Sequence, residues 1–466
     1  MITNCNIEDV MLQQLKKLLF FIAITICIAD DPEGLLYQGK TQLEAGEIQN
    51  AETSFNAALA IDQSFAPALQ ALSKLNLHKG DLTKANDYSN KAVKIGGEDF
   101  RDWANQIADI VQNMPRANKL GKSSEAIPIY NSIIENHPYY SDAYFYLGYN
   151  YYKNNDMRTA SINFSKVLEI YPNHKNARTM FGNITKSILI AGNKAYKRGD
   201  LDGARTNYLK AIEYDPKYFK PYYQLGVLEK TSGNSNQAEK YLLKAIELDS
   251  VSYKSWFILG AVYELDDKTD KAIECYRKAI SIKYDYEKAY GNLGKLLYQV
   301  NQNYEEAESV LKEVTQIAPD YANGFFHLGM VYKIQGIALK NDLDASGTED
   351  KSAYSSMKKI LFKAIDNLDN SVQLDNSNYD RYNHLAELCI AVEDWDKAIE
   401  CSQKSIDLKE RPQSNGSAYF YWGMAVLKKS KNRNKNRALA LFEKAKKDRN
   451  WRKAAEFEIV ELRKEK

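Results

Sequence analysis

Two groups of residues in this sequence have the types and spacing that could support chemistry. The first runs from Gly34 to Thr41 and matches the phosphate-binding pattern of two glycines followed by a lysine and a threonine. That mechanism needs a strand before the loop and a helix after it, so that backbone N–H groups surround the phosphates. Leu35 to Gln38 instead continue the helical pattern that follows. We interpret the match as accidental and predict no nucleotide cofactor.

The second group is His327 and His384, which stand at equivalent places in two successive segments of the chain. Helices that pack side by side lie about 8–10 Å apart, so the two imidazoles can approach each other. A zinc site requires three or four converging ligands, and only Glu387 offers a third. We favour side chains that line a groove, and we predict no catalytic residue, no metal site and no other cofactor.

The composition argues against several classes of function. The 466 residues include 63 basic and 61 acidic side chains, a net charge of +2, so no overall field favours nucleic acid. Cys5 and Cys27 lie near the N terminus, and the remaining three thiols are too few for a disulfide framework. We expect Cys275, Cys389 and Cys401 to be small buried residues, with a Cys389–Cys401 bridge as the alternative.

Residues 1–29 have the features of a signal peptide. Lys16 and Lys17 precede an apolar run from Leu18 to Ala29, which gives the positive flank and apolar core of an export signal. The run has twelve residues, and a membrane-spanning helix needs about 20. We expect an exported protein, periplasmic or secreted. The alternative is a protein that an uncleaved leader anchors to the membrane.

One alanine recurs along the chain at nearly constant spacing. Its eleven positions are Ala51, Ala85, Ala126, Ala160, Ala204, Ala238, Ala272, Ala307, Ala364, Ala398 and Ala438. Five of the ten intervals are 34 residues, and one is 35. A period of about 34 residues is typical of a solenoid in which each repeat consists of two helices. Each repeat then buries its apolar surface against its neighbours, so no single closed core is needed.

The segment from Ser141 to His174 shows one full unit. Its pattern residues are Tyr144, Leu147, Gly148 and Tyr151 in the first half, and Ala160, Phe164, Val167 and Pro172 in the second. The spacing in each half places its residues on one helical face. Gly148 and Ala160 are small enough for the two helices to approach closely, and Pro172 cannot continue the second helix.

This pattern resembles the tetratricopeptide repeat (TPR) family, whose helix–turn–helix units have these residue types in this order. Further units contain Tyr222-Leu225-Gly226, Trp256-Leu259-Gly260, Tyr290-Leu293-Gly294, Phe325-Leu328-Gly329 and Tyr382-Leu385-Ala386. The resemblance implies an all-α fold, a right-handed TPR superhelical solenoid of about eleven helix–turn–helix repeats with a C-terminal capping helix. It also implies a non-enzymatic protein that binds other proteins.

The resemblance divides the chain into four parts. After the signal peptide, residues 30–140 contain degenerate N-terminal repeats and residues 141–450 contain the well-formed array. An insertion lies near 333–363, where we expect both helices of the repeat to be extended and joined by an acidic loop. Residues 451–466 predict a charged helix that covers the end of the array, as terminal repeats require.

The main functional pattern lies on the first helix of each repeat. In TPR proteins the outward residues of this helix line the concave surface that holds a peptide. Aromatic residues occupy these places here, namely Phe145, Tyr149, Tyr152, Tyr196, Tyr223, Phe257, Tyr298 and Phe326. We predict an aromatic-lined groove that binds a partner, with Lys220, Lys254 and Lys288 steering it at the edge. The alternative is that the aromatic residues only thicken the interfaces between repeats.

A basic segment extends from Lys428 to Arg437, with six charges in ten residues. Most such segments are solvated turns, and the alternative is peripheral association with a membrane or another anionic surface. Our leading hypothesis is a scaffold that binds a protein or peptide ligand, and we expect no nucleic-acid partner. The alternative is a structural or assembly subunit of a cell-envelope or secretion complex, which docks through its convex surface and basic C-terminal region.

Overall fold

The computed structural model describes residues 31–464 except 122, 348–349 and 431–433. The predicted signal peptide, 1–29, lies outside the described residues. Within the described ranges every regular element is a helix, and no strand occurs. The chain divides into two compact units, Met1–Pro221 and Tyr222–Lys466. The predicted all-α fold is confirmed.

The helices follow one another in pairs. The first unit contains α1 (Pro32–Glu44), α2 (Ile48–Ile61), α3 (Ala66–His78), α4 (Leu82–Gly96), α5 (Arg101–Leu120), α6 (Ala126–Asn136), α7 (Ser141–Lys153), α8 (Met157–Ile170), α9 (Lys175–Lys197) and α10 (Leu201–Tyr214). The division between the units falls within α11 (Phe219–Thr231). The second unit continues with α12 (Ser235–Leu248), α13 (Tyr253–Leu265), α14 (Thr269–Ile282), α15 (Glu287–Gln299), α16 (Tyr304–Ile317), α17 (Ala322–Ser346), α18 (Lys351–Leu374), α19 (Tyr379–Ala391), α20 (Trp395–Leu408), α21 (Gly416–Lys429), α22 (Lys435–Ala445) and α23 (Arg452–Lys464).

The described residues thus form eleven helix pairs followed by the single helix α23. We call the first, odd-numbered helix of each pair the A helix and the second the B helix. Two short 3₁₀ helices, Gly97–Phe100 and Pro412–Ser414, precede α5 and α21. The number and order of the pairs agree with the repeats that the sequence predicts.

The recurring small residues determine how closely the two helices of a pair approach. The alanine of the period lies in the B helix of every pair and is completely buried. A Cβ atom placed on Gly148 would lie 3.0 Å from Phe164, and one placed on Gly260 would lie 2.8 Å from Tyr276. A larger residue at either glycine would therefore push the helices apart, because packed interiors leave no room for an extra methyl group.

The turn from the A helix to the B helix is tight in most pairs. In the fourth pair Asn155 has a positive φ of 65°, and Asp156 follows it. The side chain of Asp156 accepts a 3.0 Å hydrogen bond from the Thr159 N–H, which satisfies a donor that the first helical turn leaves without a partner. Hydrogen bonds with the backbone and the side chain of Thr159 lower the pKa of Asp156. Gly199 and Asp200 repeat the arrangement before α10.

Four helices have 20 residues or more, whereas the other α-helices have 11 to 15. They are α5 with 20 residues, α9 with 23, α17 with 25 and α18 with 24. Most A helices begin seven residues before their small residue, whereas α5 begins thirteen residues before Met114, which holds the same register. The helices α17 and α18 extend together as a hairpin, and Leu343, Met357 and Leu361 are buried between them.

Each unit has its own buried core. In the second unit one apolar cluster extends from Ala238 to Ala425, and another joins α21, α22 and α23. Ala455, Ile459 and Leu462 of α23 are buried in that second cluster, so α23 caps the last helix pair. None of the described helices is both long enough and apolar enough to span a bilayer.

The three cysteines outside the N-terminal segment are buried thiols. Cys275, Cys389 and Cys401 are free, so the alternative Cys389–Cys401 bridge is not formed. Burial raises the pKa of Cys275 to about 12. A hydrogen bond with Cys401 raises the pKa of Cys389. Cys275 and Cys389 therefore remain protonated at neutral pH, and all three cysteines act as small packing residues.

Candidate partner-binding surface

The phosphate-binding pattern lies inside a helix. Gly34 to Thr41 all belong to α1, and Asp31 caps this helix by accepting a 2.6 Å hydrogen bond from the Gly34 N–H. In a helix the backbone N–H groups bond to carbonyl groups four residues earlier, so they cannot together surround a phosphate. The segment has the helical conformation that Leu35 to Gln38 predict.

His327 and His384 lie on either side of Phe326. The ring centroids of the two histidines are 5.2 Å and 5.9 Å from that of Phe326. The Nζ atom of Lys333 lies 2.9 Å from Nδ1 of His384 and 2.5 Å from Oε2 of Glu387. A lysine ammonium thus stands between the histidine and the carboxylate, where a metal ion would have to bind.

Aromatic residues three positions before the small residue pack into the junctions between repeats. The ring of Phe145 lies 4.9 Å from that of His174, which directly precedes the next A helix. The ring of Phe257 lies 5.1 Å from that of Tyr286, which directly precedes α15, the next A helix in this case. Phe145, Phe257 and Phe326 are all half-buried. These rings support the repeat interfaces, as the alternative interpretation requires, and only part of each remains accessible.

Tyr298 is buried, and its prediction as a groove residue is wrong. Its side chain is only 2% exposed, and its hydroxyl lies 3.1 Å from Nδ1 of His327. His327 belongs to α17, the A helix of the next repeat, and packs against the phenol ring at 6.0 Å between centroids. Tyr298 stands at the same helical position as Tyr152, but a residue of the following repeat covers it.

The A helix α7 has a row of three aromatic rings, which we call the α7 row: Phe145, Tyr149 and Tyr152. The centroid distances are 6.4 Å from Phe145 to Tyr149 and 6.5 Å from Tyr149 to Tyr152, with 20° between the planes in both pairs. Tyr149 is 38% exposed, and Nζ of Lys153 lies 5.0 Å from its ring centroid. The row is therefore an ordered and accessible aromatic surface with a positive charge beside its middle ring.

The remaining predicted residues are divided between the two units. Tyr196 lies in α9 of the first unit, and Tyr223 lies in the part of α11 that belongs to the second. Both are half-buried. The three residues predicted to steer a partner, Lys220, Lys254 and Lys288, are exposed. Of the eight predicted aromatic residues, the structure brings Phe145, Tyr149 and Tyr152 together in one continuous surface.

Comparison with known proteins identifies the repeat. A family model described as TPR repeat matches residues 192–233 and 266–301. Models described as tetratricopeptide repeat match residues 219–251 and 287–321, and residues 142–174. The chain contains tetratricopeptide repeats. The predicted fold class, an all-α TPR solenoid, is confirmed by these matches together with the order of the helix pairs.

Several solved structures are similar to parts of this TPR chain. The pilF protein of Pseudomonas aeruginosa is 23% identical, covers 53% of this chain and 97% of its own, and has a TM-score of 0.40. A tetratricopeptide repeat protein from Parabacteroides merdae is 15% identical, with 60% and 98% covered and a TM-score of 0.39. MamA from Desulfovibrio magneticus RS-1 is 20% identical, with 42% and 97% covered and a TM-score of 0.33. No curated protein matches the chain.

In the second unit, polar pairs join successive TPR A helices. These pairs are not among the predicted site residues. Glu264 of α13 forms an ion pair with Lys295 of α15, and Lys333 of α17 forms one with Glu387 of α19. In both pairs one partner stands four residues after the small residue of its repeat, and the other stands one residue after the small residue of the next. Opposite charges at these two positions are a sequence signal that could have found both pairs.

We call the connected residues of this face the polar ladder; they are Glu264, Lys295, Tyr298, His327, Lys333, His384 and Glu387. Burial, together with the charges of Lys295 and Arg381, lowers the pKa of His327 to about 4. Burial and the charge of Lys333 also lower the pKa of His384. Near pH 7 both imidazoles are neutral, so the charges of the ladder are those of its paired lysines and glutamates.

Proposed function

We propose that this protein is a non-enzymatic scaffold that binds a segment of a protein partner on the A-helix face of its repeats. Tetratricopeptide repeats support a role in protein interaction in general, and the α7 row offers a specific surface for it. The observation that carries the proposal is Tyr149, which is exposed although its ring is held between Phe145 and Tyr152. An ordered tyrosine loses little conformational entropy when a partner covers it.

The chemistry of the α7 row defines the kind of segment that fits it. Its rings offer apolar faces to aliphatic or aromatic side chains, and Lys153 offers a positive charge beside Tyr149. An extended or helical segment that combines apolar and acidic residues would use both features. In the second unit Phe257 and Phe326 would contribute only the edges that repeat packing leaves accessible.

The proposal includes no catalytic step. Among the residues that the structure describes, no group of three or more His, Cys, Asp or Glu side chains is arranged to hold a metal ion. His327 is bonded to the buried Tyr298, and His384 to Lys333, which is itself paired with Glu387, so both imidazoles are engaged in contacts between repeats. Binding and positioning of another protein is the function that this surface supports best.

The experiment that tests the proposal places a photo-crosslinking amino acid at Tyr149 of the full chain in living cells. The matched control is Ile162, which lies on the B helix of the same repeat and is 60% exposed. A discrete adduct from Tyr149 and none from Ile162 would support recognition on the A-helix face. Adducts from Ile162 alone, or none from either site, would contradict the proposal.

The second candidate function, a structural subunit of an envelope or secretion complex, has one specific observation in its favour. Phe457 and Val460 lie one turn apart on α23 and are both exposed, and the basic residues Arg463 and Lys464 follow them. An exposed apolar pair beside positive charge suits docking to a neighbouring subunit. A crosslinker at Phe457 that captures a partner, while one at Tyr149 captures none, would establish this function instead of the first.

We also propose that the protein is exported, because residues 1–29 have the pattern of a signal peptide. N-terminal sequencing of the protein isolated from its cells tests this directly. A mature chain that starts near residue 30 in an extracytoplasmic fraction would support cleavage. An intact leader in the membrane fraction would support the anchored alternative, and an intact soluble cytoplasmic chain would refute export.

A further inference from the structure

The first unit contains a cavity of about 310 Å³ among the helices α1, α3 and α5 and the connection between α6 and α7. Leu43, Lys74 and Leu77 contribute to its walls. Counted from Gly39 and Ser73, the small-residue positions of the first two repeats, these residues stand four, one and four places further on. They occupy the same A-helix register as Tyr149 and Tyr152, so the cavity belongs to the face that TPR proteins use for peptides.

The lengthened helix α5 closes one side of this cavity. Because α5 begins thirteen residues before Met114, its first turns extend beyond the usual start of an A helix and bring Trp103 to the cavity. The indole is held in place, since its Nε1–H donates a 2.9 Å hydrogen bond to Oγ of Ser73. An ordinary A helix would lack these turns, and the face of α3 would be open at this point.

Two imidazole rings line the cavity together with the polar side chains of Lys74, Gln106 and Asn136. His78 stacks on Tyr139 with 5.1 Å between ring centroids and 15° between the planes, and the ring of His137 meets that of Trp103 edge-on at 6.2 Å. No hydrogen bond to another described residue engages the imidazole of His78 or His137. His137 is a buried residue that lines the cavity, so a group bound there could engage its ring nitrogens.

Lys74 places a positive charge at one wall of the cavity. The Nζ atom of Lys74 lies 5.2 Å from the Trp103 ring centroid, and burial and the charge of Lys40 lower the pKa of Lys74. Neither lysine takes part in any of the described ion pairs. Burial lowers the pKa of His78 to about 4, so its ring is neutral near pH 7 and stacks as an aromatic group. An anionic group placed beside Lys74 would relieve the repulsion between the two lysines.

A second, wider cavity of about 710 Å³ continues from the first. Both are lined by Leu43, His78, Pro138 and Tyr139, so the stacked His78–Tyr139 pair forms a shared wall between them. The smaller volume is near the lower limit of about 300 Å³ for ligand sites, and the larger one lies next to it across the shared wall. A chain molecule with one large side chain in the smaller cavity fits this shape better than a single compact ligand.

We propose that the smaller cavity is an anchor site for one aromatic side chain of a protein segment that carries a carboxylate next to it. The aromatic ring would lie between Trp103 and the His78–Tyr139 pair, the carboxylate would approach Lys74, and the segment would continue through the wider cavity. This inference rests on the proposed scaffold function but concerns residues other than the α7 row.

The test uses the full chain and the fluorinated peptide acetyl-Glu-(4-fluoro-Phe)-Ser-Gly-amide, whose binding is followed by ¹⁹F NMR. We expect saturable binding that Tyr139→Ala weakens by about tenfold, the size typical of losing an aromatic anchor contact. Tyr139 is 62% exposed, so its truncation should leave the fold intact. The matched control is Tyr284→Ala, because Tyr284 is equally exposed and also lies just before an A helix, and it should bind as the wild type does.

Two altered peptides separate the parts of the proposal. Replacing the fluorophenylalanine by a fluorinated cyclohexylalanine should abolish binding, since only a planar ring stacks between the aromatic walls. Replacing Glu by Gln should weaken binding about threefold in the wild type but not in Lys74→Gln, because only one charge pair is lost. Equal binding of either altered peptide and the parent by the wild-type protein would overturn the corresponding part.

The failure of this inference is distinguishable from the failure of the proposed function. No saturable binding up to several millimolar peptide, or equal binding by the wild type and Tyr139→Ala, would show that the cavity is not an anchor site. If Tyr149 still captured a discrete partner, the scaffold function would stand without this site. If the peptide bound as expected while Tyr149 captured nothing, the cavity would stand and the α7 row would be the part in error.

Discussion

The two units use the same repeat but differ in the face that their A helices present. In α7 of the first unit the residues one and four places after the small position are Tyr149 and Tyr152, which form an open row with Phe145. In the second unit the same positions carry Glu264, Lys295, Lys333 and Glu387, which pair with one another across successive repeats. The difference shows that the A-helix face can remain available to a partner in one part of a solenoid and be occupied by contacts between repeats in another.

Physical chemistry explains why the two faces behave differently. A charged pair between neighbouring A helices satisfies both groups inside the protein, so a partner would have to break it before using either residue. The rings of Tyr149 and Tyr152 make only stacking contacts with each other, and those contacts persist when a further ring or aliphatic group is added. The A-helix face of the first unit is therefore the better candidate for binding a partner. The same face of the second unit stabilises the stacking of its own repeats. Four predictions test this contrast.

The largest effect is expected from breaking the polar ladder at Lys333. Lys333→Ala removes a side chain that is only 10% exposed and takes away the ammonium that bonds to Glu387 and His384. We expect the second unit to lose about 3 kcal/mol of unfolding free energy, measured by urea denaturation followed by circular dichroism. The control is Lys230→Ala at the equivalent position of α11. A similar loss in the control would mean that the ladder contributes nothing specific.

The next prediction concerns acid. The folded state holds the pKa of His327 at about 4, below the usual 6.5, so the unfolded chain takes up the proton first as the pH falls. Stability is therefore complete above about pH 6.5 and declines toward about pH 4, with a loss of about 2 kcal/mol by about pH 5 from this group. His327→Gln should flatten the pH dependence of the urea midpoint. Parallel curves for the variant and the wild type would refute the assignment.

A smaller effect is expected from the hydroxyl of Tyr298. Tyr298→Phe keeps the buried ring but removes the group that lies 3.1 Å from Nδ1 of His327. One buried hydrogen bond contributes about 1 kcal/mol, and we expect a loss of that size in the same denaturation experiment. Tyr152→Phe, at the equivalent position in α7, should change stability by less than about 0.5 kcal/mol. Equal losses of unfolding free energy in the two variants would show that the hydroxyls of Tyr298 and Tyr152 contribute equally to stability.

The smallest change in stability is expected at the α7 row. Tyr149→Ala should alter the unfolding free energy by no more than about 0.5 kcal/mol, because the side chain is substantially exposed. Capture of the partner by the α7 face should nevertheless be lost, which a crosslinking residue at Tyr152 can measure. A destabilisation above about 1 kcal/mol would instead place Tyr149 among the packing residues.

Most of the fold could be predicted from local patterns in the sequence. The alanine at Ala160 and its ten equivalents lie where helices must approach closely, and the glycine at Gly148 or Gly260 faces the large residue of the adjacent helix. Both requirements act within one repeat, so they recur in the sequence at the repeat period. The usual length of 13 or 14 residues per helix follows from the same repeat period. The cavity that the early start of α5 closes does not follow from it.

The candidate site was predictable only in part. The aromatic register led to Phe145, Tyr149 and Tyr152, which the structure gathers on α7. The same register also led to Tyr298, which is buried beneath His327, a residue 29 positions further along the chain. Exposure of an A-helix residue depends on the repeat that stacks on it, and the pattern within one repeat carries no information about that neighbour.

The repeat, its helix pairs and the register of the A-helix face can thus be predicted from the sequence, because these depend on side chains a few residues apart on one helix or in one pair. Which residues of that face are open, which are covered and which form ladders or cavities follows from the packing of the repeats. Those outcomes depend on contacts between successive repeats, where a lysine in one repeat meets a glutamate in the next and a histidine covers a tyrosine.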